Sequence, residues 1–254
     1  MPFTYEYPRP SVCVDCVVFG LERGDRSRSL KVKVLLIERA RPPFAGTWAL
    51  PGGFVEIEEP LLDAAFRELQ EETGMRPGSL VLAGVYGTPG RDPRGRTISV
   101  VYRALVWKDE YSIQGGDDAS RAGWFSLENL PTLAFDHHQI VTEVWDDLRR
   151  SVATQPFGRE LLPPVFQWRD LWLLYEAILG KDVSPRQLKS FLIKRGLLRP
   201  VEQSGVEEAL PTQSRKPVLF CFNDVIYEKL RRHGFSPFLK YGSDRQEGND
   251  RGGH

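Results

Sequence analysis

Between Gly52 and Met75 the chain reads GGFVEIEEPLLDAAFRELQEETGM, seven acidic residues against a single base, Arg67. On a helix that turns about 100° per residue, Glu68, Glu71 and Glu72 gather in one band along the edge of an apolar stripe of Leu61, Leu62, Ala65 and Leu69. Carboxylates four residues apart, such as Glu68 and Glu72, repel each other, and beside a buried face that repulsion needs a counter-charge. A divalent cation supplies it. Carboxylate oxygens are hard donors and no His or Cys lies nearby, so the expected ion is Mg²⁺ (or Mn²⁺) and not Zn²⁺. Mg²⁺ commonly shares its ligands with phosphate oxygens, which makes a phosphorylated substrate the expectation. An ordinary solvated acidic helix is the alternative that charge alone leaves open.

Those carboxylates need a helix with defined ends. Pro60 suits the first helical position and Gly74 the stop, which predicts a helix from about Pro60 to Thr73. Ahead of it, residues 11–20 and 31–38 read as β-branched strands joined by the polar turn GLERGDRSRSL, a hairpin. Behind it, LVLAGVYG and TISVVYRALVW read as strands and AGWFSL as a short one. Residues 137–150 read as a helix with Asp136 and Gln139 as its capping pair. Strands and helices do not alternate regularly, so the sheet is expected to be mixed. Cys13 and Cys16 fall on opposite faces of the first strand and read as small buried residues, not as a zinc or redox pair.

The chain has 254 residues, 41% of them hydrophobic, enough for two cores, and its formal net charge is zero. That average hides an asymmetry: residues 1–150 hold 18 Lys+Arg against 22 Asp+Glu, and residues 151–254 hold 16 against 12. The expected division is a domain over 1–153, a second over 154–239, and a Gly- and charge-rich tail, 240–254, expected to be disordered. No apolar run approaches the ~20 residues of a membrane span, and MPFTYEYPRP lacks the layout of a signal peptide, so a cytoplasmic protein is expected. In the second half, QWRDLWLLYEAIL, the turn KDVS and PRQLKSFLIKRGLL form a helix-turn-helix pattern, and KPVLFCFND reads as a returning strand. A winged helix fits. Arg186, Lys189 and Lys194, with Arg195, are the candidate contacts to DNA, although such modules also bind proteins.

From Gly53 the spacing runs five residues to Glu59, seven more to Arg67, then Arg-Glu-Leu-Gln-Glu-Glu-Thr-Gly-Met, which resembles the Nudix box at every defined position. The resemblance implies the Nudix fold, an α/β/α sandwich around a mixed sheet over roughly residues 1–150, and metal-assisted hydrolysis of a nucleoside diphosphate linked to another group. It implies metal ligands at the Gly53 carbonyl, Glu68, Glu71 and Glu72, a catalytic role for Glu71, and Arg67 as its orienting partner. For Glu59 it leaves a structural and a secondary metal role open. Outside the box the candidate substrate contacts are Arg39, then Arg91 and Arg96 (with Arg94) in the loop YGTPGRDPRGRTISVVY, a cradle for pyrophosphate. Trp48 either stacks on an adenine or caps the core. The segment from GGDDASRAGWFSL to DHHQI is similar to the corresponding region of Nudix ADP-ribose pyrophosphatases, which makes Asp117 and Asp118 the candidate general bases; His137 and His138 read as structural.

LAFDHHQIV and the whole helix-turn-helix region also resemble the Nudix-related transcriptional regulators of NAD metabolism, which join a Nudix domain to a winged helix and respond to ADP-ribose. Many of those regulators have lost residues of the box, whereas this chain keeps all of them. Its second helix is less Arg-rich than theirs, and residues 199–216, where the wing belongs, carry Glu202, Glu207 and Glu208, which repel phosphates. The resemblance therefore implies first a hydrolase that converts ADP-ribose to AMP and ribose 5-phosphate. A DNA-binding, ADP-ribose-sensing regulator is the alternative, and hydrolysis of oxidised nucleoside triphosphates the third. A homodimer is expected by analogy with the family.

Overall fold

The computed structural model of the chain describes residues 6–24, 29–115, 119–180, 183–201 and 218–236. It divides into two compact units, Met1–Asp147 and Leu148–His254. In the first, β1 (Ser11–Arg23) and β2 (Leu30–Arg39) form an antiparallel hairpin with Phe19 opposite Val34. The short strands β3 (Trp48–Ala49) and β4 (Gly52–Phe54) lead into α1 (Leu61–Thr73), and β5 (Val81–Tyr86), β6 (Thr97–Trp107) and β7 (Ala119–Ser126) follow. The seven strands make one sheet whose main path is β3-β2-β1-β6-β5, with β4 on β1 and β7 on β2. β1 and β6 run parallel while the other pairs are antiparallel, so the sheet is mixed.

Alternation along β1 sends Val14, Cys16 and Val18 to one face, where they pack with Ala64, Ala65 and Leu69 of α1. The other face carries Phe19, whose ring meets Trp145 of α2 (His137–Thr154) edge-on at 5.1 Å. A helix on each face gives the α/β/α sandwich. Cys16 is buried under α1, its thiol donating to the Ala65 carbonyl, and Cys13 lies on the opposite face.

α1 differs from its sequence reading in two ways. Pro60 is the N-cap and not the first helical residue; it is extended (φ −64°, ψ 145°) while its carbonyl already accepts the Ala64 N–H. The buried stripe is Ala64, Ala65, Leu69 and Thr73, whereas Leu61 and Leu62 remain 39% and 40% exposed, because the helix meets the sheet beyond its first turn. Gly74 closes the helix in the left-handed region (φ 71°) and donates to the Gln70 carbonyl. At α2 the expected capping pair does not form. Both Asp136 oxygens are taken by Arg91, Gln139 turns to Glu143, and the helix continues to Thr154.

The second unit contains α3 (Trp168–Leu179), α4 (Pro185–Lys194) and a three-stranded sheet in the order β8-β10-β9, formed by β8 (Phe166–Gln167), β9 (Leu198–Val201) and β10 (Leu219–Phe222). Leu171, Leu174, Tyr175, Ile178, Leu188 and Leu192 fill its core. Ser184 caps α4 through the Gln187 N–H, with Pro185 at the first position. β9 and β10 are the two arms of a wing. Glu202, Glu207 and Glu208, expected in the wing, and the tail 240–254 lie outside the described residues. α5 (Asp224–His233) was not expected from sequence; its signal is the basic last turn of Arg231, Arg232 and His233.

Candidate active site

The box residues are positioned by one strand pair and one helix. β4 lies antiparallel to β1, with Gly53 opposite Val14 and Gly52 opposite Asp15. A Cβ on Gly53 would lie 2.4 Å from the Glu68 carboxyl carbon, so the carboxylate of α1 rests directly on bare backbone. Arg67 ties the acids together. It donates to both Glu59 oxygens (2.6 and 3.0 Å), to Glu68 (2.8 Å), to Glu71 (3.2 Å) and to the Phe54 carbonyl (3.2 Å). Glu59 is thus the structural partner of Arg67, and its pKa is held below the usual carboxylate range by those bonds.

Glu72 is buried and accepts the Gly52 N–H at 2.8 Å. Burial pushes its pKa up to about 8, the Gly52 N–H opposes the shift, and the charges of Glu68 and Asp15 add to it. Glu68 is raised too, chiefly by burial, against the pull of Arg67. Among the described residues no three carboxylate, thiol or imidazole groups form a ready-made metal cage, because Glu68 and Glu71 are turned onto Arg67. The donor set nonetheless fits a hard divalent cation. All its side-chain donors are carboxylate oxygens, Gly53 leaves its backbone open beside Glu68, and the negative charge crowded at Glu72 is offset only in part by Arg39.

These groups line a cleft of about 860 Å³ together with Cys13, Asp15, Arg39, Phe54, Arg91, Asp92, Arg94, Phe135 and His137. Of the substrate candidates, Arg39 lines it. Arg91 does too, but its side chain is only 5% exposed and forms a two-pronged pair with Asp136 (2.6 and 2.8 Å), so it braces the wall. Arg96 lies off the cleft and bonds to the Gly87 carbonyl. Trp48 is also off the cleft, its ring edge-on to Phe125 at 4.5 Å and beneath Arg121. Of the three arginines of the expected pyrophosphate cradle, Arg91 is held by Asp136 and Arg96 by the Gly87 carbonyl, while Arg94 lines the cleft, paired with Asp92. Asp117 and Asp118 lie outside the described residues.

Two residues that sequence reasoning missed, Asp15 and Phe135, stand in the cleft with His137, which it had read as structural. Asp15 is buried, accepts from the Ser99 hydroxyl, and lies 3.6 Å from His137 Nε2 and 3.9 Å from Arg91. Its signal was a lone carboxylate inside the apolar run SVCVDCVVF. His137 accepts the Leu50 N–H on Nδ1 at 2.9 Å, and burial lowers its pKa. Phe135 gave no signal at all. Of the winged-helix candidates, Arg186 and Lys194 are exposed on α4, whereas the Lys189 ammonium lies over the rings of Phe220 (4.7 Å) and Trp168 (5.8 Å).

Residues 11–144 match the model of the NUDIX domain. The chain is 32% identical over 212 residues, 82% of it and 82% of the relative, to the ADPR responsive transcriptional repressor NtrR of Acinetobacter baylyi. It is 46% identical over 137 residues, 54% of this chain and 74% of the relative, to the ADP-ribose pyrophosphatase of Methanocaldococcus jannaschii. Among solved structures it is similar to Shewanella oneidensis NrtR complexed with a 27mer DNA, with a TM-score of 0.64 and 25% identity over 90% of this chain and 99% of that one.

Proposed function

Because the chain belongs to the Nudix family, we propose that it is a Mg²⁺-dependent (or Mn²⁺-dependent) pyrophosphohydrolase that cleaves ADP-ribose to AMP and ribose 5-phosphate. The observation that carries this reading is the packing of Glu68 on Gly53, with Glu71 and Glu72 on the same helix at the cleft. The Gly53 carbonyl, Glu68, Glu71 and Glu72 would hold the metal, which when bound polarises a phosphoryl oxygen and lowers the pKa of a water. Arg67 keeps Glu68 and Glu71 in register, and Glu59 fixes Arg67 in turn. Glu72 anchors the Gly52–Gly53 turn through the Gly52 N–H. Asp117 or Asp118 is the proposed base. The likeness to an ADP-ribose pyrophosphatase supports the choice of substrate, and on family analogy the working form is a cytoplasmic homodimer.

A second reading is favoured by the second unit, in which α3, α4 and the β9–β10 hairpin make a winged helix with Arg186 and Lys194 exposed. There the protein binds operator DNA and senses ADP-ribose, in the manner that the name of its Acinetobacter relative describes for that protein. Both activities are compatible in one chain. The deciding experiment is release of AMP from ADP-ribose with Mg²⁺, wild type against Glu71→Gln. Turnover that drops by ~100-fold or more in the variant is the expected result. Tight binding of ADP-ribose with no turnover by the wild type would remove the hydrolase and leave the sensor.

A further inference from the structure

Phe135 holds a left-handed backbone conformation, φ 54°, and so does Phe44, φ 62°. Bulky L-residues avoid that region because Cβ crowds the carbonyl, and such conformations persist only where the surroundings impose them. Here they do. The Ala134 N–H donates to the Trp48 carbonyl (2.8 Å), Asp136 is gripped by Arg91 (2.6 and 2.8 Å), and His137 accepts the Leu50 N–H (2.9 Å). The result is a half-buried ring on the wall of the cleft, its edge set by Phe44 at 4.9 Å.

Two guanidinium groups lie over that ring, Arg39 at 4.9 Å and Arg94 at 5.6 Å from its centroid, and Arg94 also lies over Phe54 at 5.0 Å. An aromatic face attracts a guanidinium and fixes its plane. Arg94 is compensated by Asp92 at 2.7 Å. Arg39 is not: it donates to the carbonyls of Pro43 (2.8 Å) and Arg41 (3.4 Å), and among the described residues no carboxylate lies within ion-pair distance. Burial, then the neighbouring charge of Arg94, lower its pKa, and the more distant carboxylates of Glu72, Asp92 and Asp15 oppose that shift. A half-buried cation that no carboxylate pairs directly, beside a second cation and on the wall of a cleft, is matched by an anion with more than one charge.

We propose that Phe135 is a positioning residue that holds Arg39 and Arg94 as a two-guanidinium clamp for the diphosphate of the ligand. The clamp rests on the reading of this cleft as a nucleoside diphosphate site; it keeps Arg94 of the expected cradle and sets Arg39 in place of Arg91 and Arg96. Arg39 bonds to carbonyls and Arg94 to Asp92 through Nε and Nη2, which leaves the Nη1 N–H groups of both to phosphate oxygens.

The test is calorimetric binding of ADP and of adenosine to the full chain in EDTA, where clamp contacts are read without turnover. Wild type is expected to prefer ADP by about tenfold or more, the effect of one or two charge-assisted hydrogen bonds. Phe135→Leu and Arg39→Gln are expected to lose most of that preference with adenosine affinity unchanged, and Phe135→Tyr to keep it. Equal losses for ADP and adenosine in Phe135→Leu, or an unchanged preference, would overturn the clamp, as would a wild type that does not discriminate. AMP release from ADP-ribose, run alongside, separates the two levels: discrimination without turnover of ADP-ribose sinks the hydrolase and leaves the clamp standing.

Discussion

Arg67 and His137 show how single residues in this cleft are held in one role by their partners. The Arg67 guanidinium is shared by Glu59, Glu68 and Glu71, so the Glu59 bonds decide where the other two carboxylates point. Glu59→Gln is expected to lower kcat for ADP-ribose by about tenfold with little change in melting temperature, since small displacements of catalytic groups are costly while the amide oxygen still accepts from Arg67. Steady-state kinetics beside a thermal melt checks it; an unchanged kcat would mean that Arg67 stays put without Glu59. His137 is buried with Nδ1 accepting the Leu50 N–H, and its pKa is lowered, chiefly by burial. The unfolded chain therefore takes up a proton as pH falls through about 6.5 while the folded chain resists it, so stability present above that pH is lost below it. His137→Asn, which retains an acceptor for Leu50, is expected to flatten this acid-side loss. Melting temperatures of both proteins from about pH 8 to about pH 5 measure the difference, and parallel curves would assign the loss to other groups.

At the scale of elements, the β4–α1 unit separates fold from chemistry at two adjacent glycines. A Cβ on Gly52 would meet the Val14 carbonyl oxygen at 2.1 Å, which is backbone and cannot yield. A Cβ on Gly53 meets only the far end of the Glu68 side chain, at 2.4 Å, which can swing away. Gly52→Ala is thus expected to destabilise the protein by about 1–3 kcal/mol, and Gly53→Ala to leave the melt nearly unchanged while hydrolysis falls by ~100-fold. Two melts and two rate measurements decide it, and a Gly53→Ala protein of full activity would show that Glu68 does not need its seat. The helix itself was legible because box spacing, Pro60 and Gly74 are local signals, and β6 was legible from its β-branched run. Asp15 was not. Its partner Ser99 is 84 residues away and reaches it only through the parallel register of β1 with β6, which no periodicity reveals. Two arginines of the Pro- and Gly-rich loop misled for the same reason: their type suggested phosphate, while Asp136 and the Gly87 carbonyl, supplied by the fold, had already claimed Arg91 and Arg96.

For the whole molecule, a net charge of zero conceals an acidic catalytic half and a basic second half, so any affinity for DNA must come from placed cations and not from bulk attraction. On α4, Arg186 and Lys194 are exposed, while Lys189 is committed to the rings of Phe220 and Trp168. Arg186→Ala and Lys194→Ala should each weaken duplex binding about equally on all sequences and reduce the slope of log K against log salt by about one, whereas Lys189→Ala should act mainly on stability. If ADP-ribose regulates that binding, the coupling must be reciprocal: the factor by which ADP-ribose weakens the DNA complex equals the factor by which DNA weakens ADP-ribose binding. Glu71→Gln allows the measurement, because the ligand then survives the titration. Its dissociation constant for ADP-ribose, taken with and without saturating duplex, is expected to rise by about 5-fold or more on DNA, the lower end of ordinary allosteric coupling. Identical constants would show that the two units work independently, a hydrolase and a DNA-binding module on one chain with no signal passing between them.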